Sequence, residues 1–86
     1  MVEEFQYTIK DPNGIHARPA GVLVKKVQSL PVEVTISCHG KSAGLNKLLA
    51  VMGLGIRCGD TVIITVQGEN ASEHAEALKN FFEENL

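Results

Sequence analysis

Two stretches of this chain alternate apolar and polar residues with period two, and that alternation constrains the fold more than any other feature. Phe5, Tyr7 and Ile9 point away from Glu4, Gln6 and Thr8, which predicts a half-buried strand over residues 2–9. Val32, Val34, Ile36 and Cys38 alternate with Glu33, Thr35 and Ser37 in the same way. A strand with one wet face belongs to a sheet covered on one side only. Asp60 to Gln67 is rich in β-branched residues and predicts a central strand. His39-Gly40-Lys41 reads as a tight hairpin into a short strand ending near Gly44.

Between these stretches the apolar period changes to that of a helix. Ala20, Leu23, Val24 and Val27 form one stripe over residues 17–28. Asn46 to Met52 reads as a short helix between Gly44 and Gly53. Ala71, Ala75, Leu78 and Phe82 form the stripe of a last helix, with Asn70 as its expected cap and Glu73 three residues on. The order is strand, helix, strand, strand, helix, strand, helix (βαββαβα). Wet strand faces make this an α+β two-layer sandwich, an antiparallel sheet with helices on one side.

At 86 residues the chain supports one domain, 1–86, and one modest core. A deep cavity would consume that core, so chemistry is expected at the surface. A net charge of −2, with no basic run, argues against nucleic acid. No apolar run is long enough to span a bilayer, and the first residues lack a signal-peptide pattern. A cytoplasmic protein is expected, with Cys38 and Cys58 as buried or half-buried free thiols. No metal site is expected, since no second cysteine or histidine stands at ligand spacing from either. His39 and His74 read as solvated side chains.

The stretch Gly14-Ile15-His16-Ala17-Arg18-Pro19-Ala20 carries the chemistry. His16 falls at the helix N-cap and Pro19 in the first turn, where a missing N–H costs little. Ala17 and Arg18 keep free backbone N–H groups beside the imidazole, an arrangement suited to an anion. The Arg18 guanidinium adds a planar grip for phosphate oxygens. The helix dipole and Arg18 both disfavour the imidazolium, so a neutral, nucleophilic ring is expected. A hydrolase using His16 as general base ranks last. No Ser or Cys nucleophile and no orienting carboxylate stands at a recognisable position.

Gly14 to Ala20 resembles the active-site signature of the HPr family, the histidine-containing phosphocarriers of the bacterial phosphoenolpyruvate-dependent sugar phosphotransferase system. A second match lies at Leu48-Leu49-Ala50-Val51-Met52-Gly53-Leu54-Gly55-Ile56, and length and element order agree across the chain. The resemblance implies an open-faced β-sandwich, a four-stranded antiparallel sheet with three helices on one face. It implies phosphorylation of His16 at Nδ1, with Arg18 as partner of the phosphoryl group. Enzyme I would be the donor and enzyme IIA domains of sugar transporters the acceptors. Leu48, Leu49 and Met52 would form an exposed docking pad, although one of Leu48, Leu49 and Val51 must face the core. A stoichiometric carrier rather than a turnover enzyme is implied, without a cofactor of its own, and a monomer is the default expectation. Many relatives carry a regulatory serine where this chain has Lys47, so serine regulation is not carried over. Two other readings share these residues. One is a specialised paralogue in a nitrogen-regulatory or dihydroxyacetone phosphorelay. The other is a non-catalytic binding module acting through Leu48, Leu49 and Met52.

Overall fold

The computed structural model describes residues 1–86. Seven elements follow one another: β1 (Val2–Thr8), α1 (Ala17–Gln28), β2 (Glu33–Cys38), β3 (Lys41–Gly44), α2 (Leu48–Met52), β4 (Thr61–Gln67) and α3 (Ala71–Asn85). The strands form one sheet in the order β1-β4-β2-β3, and every pairing is antiparallel. Phe5, Ile64 and Ile36 lie in one row across three strands, which puts the apolar positions of all three on the same face. The other face carries Glu33, Thr35, Thr61 and Gln67, all exposed.

The helices cover the apolar face. The α1 stripe of Ala20, Leu23, Val24 and Val27 is buried there, as is the α3 stripe of Ala71, Ala75, Leu78 and Phe82. The Phe82 ring meets Phe5 and Tyr7 edge-on, with centroids 6.0 and 5.6 Å away, and so fastens α3 to β1. These residues belong to one core of 21 buried side chains, to which α2 contributes Val51. Burying a side chain the size of Leu23 or Phe82 stabilises the fold by roughly 1.5–3 kcal/mol. No helix is long and apolar enough to cross a membrane.

Three boundaries depart from expectation. Ile9 leaves the β1 ladder but stays buried, tied by its N–H to the Asp60 carbonyl (2.9 Å) and by its own carbonyl to the Gly59 N–H (2.8 Å). The second helix, α2, begins at Leu48 rather than Asn46, with Lys47 as its N-cap, whose side chain makes no cap bond. Asn70 caps α3 only with its backbone. A capping side chain needs extended backbone, and Asn70 adopts φ 57°, ψ 32°. The hairpin is as expected: Cys38 pairs with Lys41 across the two-residue turn His39-Gly40, both at positive φ (54° and 77°).

Candidate functional site

The segment between β1 and α1 is a strap whose local chemistry delivers His16 to the helix end. Asp11 opens it with an Asx turn, its Oδ1 accepting the Asn13 N–H at 2.8 Å and its carbonyl the Gly14 N–H at 2.9 Å. The Lys10 and Asp11 N–H groups donate to the Leu86 carbonyl, so the end of α3 anchors the start of the strap. Gly14 has φ 64°, and a Cβ there would collide with the Ile56 carbonyl oxygen. Only glycine fits. Ile15 then buries its side chain and donates its N–H to that same carbonyl.

His16 is the N-cap of α1, with extended backbone (φ −108°, ψ 174°). Its carbonyl accepts the Ala20 N–H, while its side chain makes no bond to the helix end. Pro19 has no N–H to offer. The free backbone donors at this terminus are therefore Ala17 and Arg18, both exposed, and the first turn holds no carboxylate to compete for them. Arg18 and Pro19 also border a shallow pocket of about 180 Å³ with Val22, Phe81 and Asn85.

The imidazole is partly exposed and has a partner the sequence reading missed. His16 Nε2 lies 3.4 Å from Asp11 Oδ2. An orienting carboxylate is thus present, where none was expected from spacing. Asp11 sits in a turn, and only the reversal of the chain through the Asx turn brings it back to a residue five positions on. The Asp11 carboxyl is held below its usual range, first by the Asn13 N–H, then against some desolvation by His16 and the Arg18 charge. An Nε2–H directed at Asp11 leaves the lone pair on Nδ1.

The α2 segment divides its side chains. Val51 is in the core, Met52 is half-buried against it, and Leu48 and Leu49 are 37% and 86% exposed. The chain leaving α2 runs to Ile56 and Arg57, the backbone against which Gly14 packs. Elsewhere Cys38, His39 and Asp60 come together, with ligand atoms all within 4.8 Å of one another. Spacing concealed this group because Asp60 lies in a distant loop. Asp60 Oδ2 accepts the Arg57 N–H at 2.8 Å and lies 3.2 Å from His39 Nε2. The Arg57 N–H and then His39 hold its carboxyl below the usual range. Burial, helped by the Asp60 charge, pushes the Cys38 thiol up. Cys58 is exposed rather than buried, its thiol 3.6 Å from the Lys10 carbonyl.

The family model described as the PTS HPr component phosphorylation site matches residues 3–84. The phosphocarrier protein HPr of Lysinibacillus sphaericus is 38% identical over 92% of this chain and 90% of its own. That of Mycoplasma genitalium is 34% identical over 98% and 97%. Among solved structures, the phosphocarrier protein HPr from Bacillus anthracis superposes with a TM-score of 0.87 at 27% identity, covering 94% of this chain and 96% of that one. The mycoplasma histidine-containing phosphocarrier protein gives 0.87 at 32%, covering 92% and 90%. With the open sheet, the three helices and the histidine at the first helix end, these matches make the chain a member of the HPr family of phosphocarriers of the phosphotransferase system.

Proposed function

We propose that His16 accepts a phosphoryl group at Nδ1 from enzyme I, charged by phosphoenolpyruvate, and passes it to enzyme IIA domains of sugar transporters. The observation that carries this reading is the pairing of His16 Nε2 with Asp11 beside the free Ala17 and Arg18 N–H groups. The Nδ1 lone pair forms the new N–P bond as the donor's N–P bond breaks. No proton has to leave, because Nε2–H stays directed at Asp11. The ring becomes formally cationic, and Asp11 faces that charge. The Ala17 and Arg18 N–H groups and the Arg18 guanidinium receive the phosphoryl oxygens. The protein thus contributes positioning and charge to an in-line transfer.

The chain acts as a stoichiometric carrier, since each transfer consumes and regenerates the same His16; on this reading it works in the cytoplasm as a monomer without a cofactor of its own. Leu48, Leu49 and Met52 dock both partners. Two exposed leucines beside an adaptable methionine suit a surface that meets more than one protein. Lys47 offers no hydroxyl for a regulatory kinase.

The test is mass spectrometry after incubation with enzyme I, Mg²⁺ and phosphoenolpyruvate, alongside His16→Ala. The expected result is one acid-labile phosphoryl group on the full chain and none on the variant. No gain with a folded chain and an active enzyme I would sink the reading and favour the binding module.

A further inference from the structure

Cys38, His39 and Asp60 take no part in the chemistry at His16, yet they form a mixed sulfur, nitrogen and oxygen donor set. We propose that they bind a divalent transition cation of the zinc class, through Cys38 Sγ, a His39 ring nitrogen and an Asp60 carboxylate oxygen, with a fourth position open to water.

The donor types select the ion. Calcium and magnesium take shells of six or more oxygens, and this group offers a single carboxylate. A thiolate, an imidazole and a carboxylate suit zinc and its neighbours, and two negative ligands neutralise a divalent charge. Binding replaces the Cys38 S–H with an S–metal bond, and the displaced proton passes to solvent.

The geometry lies close to what such an ion needs. Bonds of about 2.0–2.3 Å in a tetrahedral shell set neighbouring ligand atoms roughly 3.3–3.8 Å apart. The atoms here lie within 4.8 Å, and the His39 to Asp60 separation is already 3.2 Å. The remaining closure falls on the side chain free to make it. His39 is 64% exposed, whereas Cys38 is buried and held in register opposite Lys41. Asp60 is oriented in advance by the Arg57 N–H, as carboxylate ligands are in established metal sites. His39 also occupies a left-handed turn position, with φ 54°, where asparagine or glycine would suit the hairpin better.

Cobalt(II) is the probe, added to the reduced, metal-free full chain. The expected result is a near-ultraviolet thiolate-to-cobalt band that saturates and is abolished by added Zn²⁺. Cys38→Ser removes the band, and His39→Asn and Asp60→Asn each weaken Co²⁺ binding about tenfold or more. The last two variants preserve the fold. Asn-Gly is a favoured hairpin pair, and the amide oxygen that Asp60→Asn introduces still accepts the Arg57 N–H. Cys58→Ser and His16→Ala keep the band. A full chain with no band overturns the proposal. So does a band that survives Cys38→Ser or vanishes in Cys58→Ser, or binding unchanged in both His39→Asn and Asp60→Asn. None of these readouts depends on phosphoryl transfer.

Discussion

At the scale of single residues, Asp11 bears on which imidazole nitrogen would take the phosphoryl group in the proposed transfer. A neutral imidazole carries one N–H, and whatever holds that N–H leaves the lone pair on the other nitrogen. The Asp11 carboxylate stands 3.4 Å from Nε2. This is long for a settled hydrogen bond, as such pairs often are before a reaction partner arrives. Asp11→Asn keeps the Asx turn, because an amide oxygen still accepts the Asn13 N–H, but it removes the charge. Nitrogen-15 NMR of the neutral ring should show the Nε2–H tautomer predominant in the parent chain and a mixture in the variant. Phosphoryl transfer should slow about tenfold, the lower end for loss of an orienting partner. An unchanged tautomer balance would remove Asp11 from the site. In the proposed transfer Arg18 would meet the phosphoryl oxygens, so the two residues would divide the charges that the transfer creates.

At the scale of elements, the strap and the short helix each make a prediction. Gly14 and Gly21 are opposite cases of one substitution. Gly14→Ala puts a Cβ into the Ile56 carbonyl at a positive φ, and should cost about 2 kcal/mol or more while displacing His16. Gly21 lies inside α1 with nothing within 4 Å of a built Cβ. Gly21→Ala should therefore stabilise by about 0.5–1 kcal/mol. Urea unfolding separates the two, and equal signs would refute the strap geometry. Lys47 at the N-cap of α2 sets a cation against the positive end of the helix with no capping bond. Lys47→Asp should raise stability by about 1 kcal/mol in the same assay. An unchanged midpoint would mean that α2 is held by Val51 and its core contacts alone.

At the scale of the molecule, what was legible in the sequence is what period and local turn chemistry encode. Alternation along β1 and β2 revealed the one-sided sheet, and the Ala20–Val27 stripe revealed which face of α1 is buried. His16 and Arg18 were legible because a helix start is a local event. The Asp11–His16 pair and the Cys38, His39 and Asp60 group were not, because each exists only after a chain reversal or across separate loops. Asp11 also ties three parts of the molecule together. Its N–H meets the Leu86 carbonyl at the end of α3, its carboxylate holds the strap, and its charge faces the start of α1. Acid should therefore loosen the whole fold through this residue. The Asp11 carboxyl is lowered from 3.8 in the folded chain, first by the Asn13 N–H. Its contribution to stability is fully present above 3.8 and is lost as pH falls through the lower, folded-state value. Asp11→Asn has no proton to take up there. Urea midpoints measured at descending pH should show the parent chain more stable than Asp11→Asn at neutral pH. The gap should narrow as pH falls below 3.8 and close below the lower, folded-state value. No gap at neutral pH would assign the anchoring to the backbone bonds at Leu86, which the variant keeps, rather than to the carboxylate.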